Sequence, residues 1–128
     1  MTPDQSAHRV VVEATEEAEA TITPQEVPIN MYETTGALVI VAALPAVMPD
    51  DVTIELTASL LRIKAQVRSA GVREYLVHEW DYGGYEREVS VPEGFGAGME
   101  ATLANGQLAI RVLRGDALNS LTIQPDRG

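Results

Sequence analysis

Glu86 and Glu88 stand two residues apart in the stretch Tyr85 to Val91, so on an extended chain their carboxylates share one face. Two such carboxylates are the raw material of glycoside-type acid–base hydrolysis. Alternating acids are equally the ordinary dress of a solvated strand face, and the chain offers no nucleophile–base set and no phosphate-binding loop beside them. His8 and His78, with no cysteine in the chain, are too few and too far apart for a metal site. No enzyme, cofactor or metal is therefore expected. Two other features point to binding. Tyr85, Arg87, Val89 and Val91 share one parity, which places Arg87 on the apolar face, where a guanidinium needs a carboxylate or carbonyl partner. Leu121-Thr122-Ile123, an isolated apolar pair in a polar tail ahead of Pro125, suits strand addition at a sheet edge.

The elements that must position these residues are strands. Met99, Ala101 and Leu103 alternate with Glu100, Thr102 and Ala104; Leu108, Ile110 and Val112 alternate with Ala109, Arg111 and Leu113. Between them Asn105-Gly106 suits a two-residue type I′ turn, whose central positions both need positive φ. A second hairpin is read from Val52, Ile54 and Leu56, turned at Ala58-Ser59, into Leu61, Ile63, Ala65 and Val67. Ile29 to Glu33 makes a short strand, and Ala37 to Leu44 a continuous apolar strand ended by Pro45. Pro92 ends the strand that carries Arg87, and 93–98 leads into the last hairpin. Six or seven short strands without a convincing helix predict an all-β protein, an antiparallel sandwich of two sheets. The connection at 69–84 is long and carries Tyr75, Leu76, Val77, Trp80 and Tyr82, an apolar load that must be buried on its own domain or on a partner.

At 128 residues the chain reads as one domain with short extensions. Residues 1–26 hold six carboxylates against Arg9 alone and are expected as a flexible acidic arm. Residues 27–114 form the domain, and 115–128 a flexible C-terminal extension. The net charge of −10 argues against nucleic acid and anionic membranes as partners. The longest apolar run, Ala37 to Ala46, is too short to span a bilayer, and no secretory signal is visible. With the absence of cysteine, this predicts a cytoplasmic location.

Four motifs, in order along residues 27–123, resemble the small heat-shock protein family and its α-crystallin domain. Leu44-Pro45-Ala46-Val47 is similar to the family's L-P-G-V element, with Ala46 where Gly is usual. Glu79 to Arg87, closed by Val91-Pro92, resembles E-x-x-Y-G-x-F-x-R-x-x-x-L-P, with Tyr85 for Phe and Val91 for Leu. Ala101 to Leu108 resembles A-x-x-x-N-G-x-L, and Leu121-Thr122-Ile123 the C-terminal aliphatic-x-Ile motif.

The resemblance implies an immunoglobulin-like sandwich and an ATP-independent holdase of the stress response, which captures partly unfolded proteins. In bacterial and plant-like members the long loop swaps a strand onto a partner. By that analogy the homodimer interface holds Met31, Tyr75, Val77, Trp80, Tyr82 and Arg87. The anchor residues Leu121 and Ile123 would dock in a groove of Val52, Ile54, Leu56, Ala101, Leu103, Leu108 and Ile110, linking dimers into a higher oligomer. The arm departs from the family in having no Phe, Trp or Tyr before Tyr32, which implies a dimer with modest further assembly. The alternative is a p23-like co-chaperone sandwich that binds a folded partner; residues 69–84 and 121–123 argue against it.

Overall fold

The computed structural model describes residues 25–66, 74–79 and 84–128. The expected acidic arm up to residue 24, and the expected interface residues Trp80 and Tyr82, lie outside the described residues. In chain order the strands are β1 (Gln25–Glu26), β2 (Ile29–Glu33), β3 (Ala37–Ala43), β4 (Val52–Thr57), β5 (Leu60–Gln66), β6 (Gly84–Ser90), β7 (Phe95–Ala104), β8 (Gln107–Arg114), β9 (Ser120–Ile123) and β10 (Asp126–Arg127). One 3-10 turn, Pro49–Asp51, precedes β4.

Two five-stranded sheets form the predicted sandwich, in the orders β1-β6-β5-β4-β9 and β10-β7-β8-β3-β2. Only the terminal strands β1 and β10 pair parallel to their neighbours; the rest of the ladders are antiparallel. The period-two patterns end up where they must. Leu38, Ile40 and Ala42 of β3, with Val112, Ile110 and Leu108 beside them on β8, face Val52, Ile54 and Leu56 of β4 and Leu61, Ile63 and Ala65 of β5 across one apolar core. Among the described residues no polar or charged residue is buried. The turn at Asn105 and Gly106 has both φ angles positive, at 53° and 75°, as the sequence requires of it. Its Gly106 carbonyl accepts from Leu44 N–H at 2.7 Å, tying the L-P-A-V element to the hairpin. Ala46 adopts φ 67° there, a left-handed conformation that costs an alanine about 1 kcal/mol or more relative to glycine.

Three segments differ from the sequence reading. The strand β7 begins at Phe95 rather than Met99, with a register shift between them, because Gly96 and Gly98 carry no side chains to show a period. The extension at 115–128, expected to be flexible, is laid down as β9 and β10. Leu121 and Ile123 pack on the core, and Pro125 is buried, so the polar tail hides an apolar inner face. Gln25 and Glu26, assigned to the arm, pair as β1 with β6.

These terminal pieces close the sandwich on both sides. On one side the chain leaves β1 in the first sheet, passes through Val27, only 1% exposed, and enters β2 in the second. On the other it leaves β9 in the first sheet, passes through Pro125, and enters β10 in the second. Arg114 clamps the turn between β2 and β3: its Nε donates to the Thr35 carbonyl at 2.9 Å and its Nη2 to that of Thr34 at 3.2 Å. The same guanidinium lies 4.5 Å over the Phe95 ring.

Candidate functional site

The hydrogen-bonding rungs of β2 decide which of its backbone groups are free. Thr34 N–H donates to the Ala37 carbonyl and Ala43 N–H to the Pro28 carbonyl, at the two ends of the β2–β3 ladder. In the antiparallel register the bonded rungs are then Asn30–Val41 and Tyr32–Val39. Ile29, Met31 and Glu33 turn their backbone N–H and C=O away from β3, along the outer edge of the sheet. Met31 and Tyr32 are 44% and 54% exposed on that strand. Every other outermost strand, β1, β9 and β10, has two to four residues. Among the described residues β2 is the longest of the four outermost strands, and it exposes Met31 and Tyr32 beside a single charged residue, Glu33.

Within 74–79 the apolar load of the long connection is not buried on this chain. Leu76 is 100% and Val77 72% exposed, while the Tyr75 ring lies 4.6 Å from that of His78. Of the residues expected at a dimer interface, Met31 and Val77 are therefore surface-exposed and Tyr75 is half-buried.

Arg87 has the carbonyl partner that its parity demanded. It lies opposite Ile63 on the inner face of β6, and its Nη1 donates to the Val27 carbonyl at 2.8 Å, with Glu26 at 3.9 Å. The guanidinium thereby caps the buried crossing between the sheets. The partner comes from the crossing between β1 and β2, and β1 is a two-residue strand that no period could announce in the sequence. Arg87→Ala is expected to leave that carbonyl without its charged donor and cost about 1–3 kcal/mol of stability. The urea midpoint of unfolding measures it; an unmoved midpoint would show that water replaces the guanidinium without loss.

The groove residues and the anchor come together in a single chain. The strand β9 adds antiparallel to β4, with Ile123 opposite Ile54 and Leu121 opposite Leu56. Ala101 and Leu103 lie on β7, the facing edge, where β10 pairs Asp126 with Thr102 and Arg127 with Leu103. Gly128 N–H donates to the Leu103 carbonyl at 3.1 Å, and Gln124 Nε2 to that of Asp50 at 3.2 Å. Val52 lies at the start of β4, beyond the paired rungs of β9, and Leu108 and Ile110 lie one strand behind the groove on β8, fully buried. The second strand of the tail, β10, carries no apolar period and was not visible in the sequence.

The carboxylate pair is structural. Glu55, Arg62 and Glu88 stand in one cross-strand row of the outer face of β4, β5 and β6, with Lys64 and Glu86 in the next row. Arg62 bridges the two acids, at 2.6 Å to Glu88 and 3.4 Å to Glu86. Its pKa is raised further by the hydrogen bond and charge of Glu88, so it stays a cation. Both acids are committed to an exposed ion-pair ladder, a weak contribution to stability. Among the described residues no cluster of three or more His, Asp or Glu is placed to hold a metal. No helix of the described residues is long and apolar enough to cross a membrane.

Comparison with known proteins agrees with this geometry. HspA from Xanthomonas axonopodis superposes with a TM-score of 0.66 at 24% identity, covering 75% of this chain and 100% of that one. A truncated mutant of hsp14.1 from Sulfolobus solfataricus gives 0.62 at 26% identity, over 81% and 85% of the two chains. A small heat-shock protein from Xylella fastidiosa, described as having a distinct high order structure, gives 0.62 at 23%, over 72% and 88%. No curated protein sequence matches the chain significantly. The model of the Hsp20/alpha crystallin family matches residues 30–123, which spans β2 to β9 and includes all four motifs. The chain belongs to the Hsp20/alpha crystallin family, whose members are ATP-independent chaperones and not enzymes.

Proposed function

We propose that this protein is a holdase of the stress response, which works in the cytoplasm as a strand-exchanged homodimer and keeps partly unfolded proteins from aggregating without ATP. The observation that carries the reading is the open β2 edge, whose outward N–H and C=O groups await another strand while Leu76 and Val77 stand in solvent on the same chain. A segment of a second copy bearing Tyr75 and Val77, continued by Trp80 and Tyr82, has the length to lie along Ile29–Glu33 and cover Met31. In such a dimer Arg87 acts at the interface by holding Val27, and with it the start of β2, in place. Clients are held by the apolar surface that subunit exchange uncovers, so no nucleotide is needed.

Light scattering of a heated client protein tests this. At equimolar ratio and without ATP, the chain is expected to suppress the rise in scattering. Undiminished aggregation would favour an adaptor that binds folded partners.

A further inference from the structure

The strand β3 is apolar at every position, Ala37 to Ala43, a pattern that belongs to strands covered on both faces. The sandwich covers one. Leu38, Ile40 and Ala42 join the core, whereas Val39, only 8% exposed, lies outside that cluster on the outer face. Tyr32 of β2 and Arg111 of β8 stand opposite it on either side. In the next rung Asn30, Val41, Ala109 and Thr102 line up across β2, β3, β8 and β7, and Leu113 lies opposite Ala37. Val41, Ala109 and Leu113 are half-buried and Tyr32 is exposed; among the described residues no third layer lies over them. The two outer faces of the sandwich differ in charge. That of the first sheet carries Glu55, Arg62, Lys64, Glu86 and Glu88. That of β2, β3, β8 and β7 carries Glu100 and Arg111, joined to each other as an ion pair. Asp126 and Arg127, one of each sign, lie beyond it on β10. In a chain of net charge −10 this is a neutral, largely apolar face.

We propose that the outer face of β2, β3, β8 and β7 stacks on the same face of a second copy, sheet against sheet, with Val39, Val41, Ala109 and Leu113 at the centre of the contact. Charge selects this occupant. Two chains of −10 repel wherever acidic surface meets acidic surface, and a face without net charge removes that obstacle. The acidic segment 1–24, or any strongly charged partner, meets no opposite excess there. A two-fold contact presents one patch to itself, and a neutral, apolar patch is its own complement. Four short strands make a small interface, so the dissociation constant is expected on the order of tens of micromolar. Single chains therefore stay apart through this face at micromolar concentration. The proposal stands apart from the holdase reading, because its test reads mass and no client; it uses neither the β2 edge nor the tail.

Sedimentation equilibrium of the intact chain is the measurement. Between about 1 µM and about 300 µM chain the average mass is expected to rise about twofold, as mass action requires of such a site. Val41→Lys is expected to abolish that rise, because it sets an unpaired ammonium in the apolar contact. Its smaller net charge would by itself favour association, so the loss is specific to the face. Ser90→Lys makes the same change of charge on the exposed outer face of the first sheet and is expected to keep the rise. A wild-type mass that does not change with concentration would overturn the proposal and leave the face to another occupant. Association of Val41→Lys like the wild type, or its loss in Ser90→Lys as well, would overturn it equally. Should circular dichroism show Val41→Lys unfolded, Ala109→Lys, opposite it on β8, decides in its place.

Discussion

Met31→Pro is expected to abolish dimer formation while leaving the sandwich folded. The Met31 N–H points away from β3, so the ring removes no bond of the β2–β3 ladder, and proline is tolerated on an edge strand in that orientation. What it removes is the central donor that an added strand would use. An arriving strand would bury a carbonyl with no partner and lose the methionine contact, about 3 kcal/mol together, or roughly a hundredfold in dissociation constant. Sedimentation at micromolar concentration should show a monomer, with a melting temperature within a few degrees of the parent. Met31→Ala separates the two contributions, since it keeps the donor. A Met31→Pro protein that still sediments as a dimer would place the interface elsewhere than β2.

Leu108→Ala is expected to have the largest effect on stability. Leu108 is fully buried one strand behind the groove, opposite Leu103 and Ala42 on the strands to either side. Truncation there removes transfer free energy and leaves a cavity that the two sheets cannot collapse around, about 2–5 kcal/mol. Against a total of roughly 5–15 kcal/mol for a domain, that is a large share. The melting temperature should fall by on the order of 10 °C, read by circular dichroism. A fall of only a degree or two would mean that the core repacks freely, which its dry, interdigitated inner faces argue against.

The sandwich was legible because strands of six or more residues repeat their period several times. Ile54, Ile63 and Ile110 were each placed inward by parity alone, and all are buried. The Asn105-Gly106 turn was legible because its chemistry admits few alternatives. What stayed hidden were elements too short to have a period. The two-residue strands β1 and β10 are held by what lies beside them, not by their own residues. Phe95 joined β7 unseen because the glycines after it erase the alternation.

The candidate surfaces divide along the same line. That Arg87 needed a partner was evident from its parity, while the partner, the Val27 carbonyl, follows from a chain crossing sixty residues away. That Leu121 and Ile123 form a docking strand was evident from their spacing in a polar tail. Which strand they pair with is set only in the folded chain, where Ile123 lies opposite Ile54 and Leu121 opposite Leu56. By itself the sequence determined the fold class, the two long hairpins, the inward set of aliphatic side chains and the four family motifs, because these rest on interactions between near neighbours in the chain. The tertiary structure alone decided which edges are closed and which is open, since an edge is defined by what comes to lie beside it. Among the described residues β9 pairs with four residues of β4, β1 with two of β6 and β10 with two of β7, and no strand pairs with the outer edge of β2.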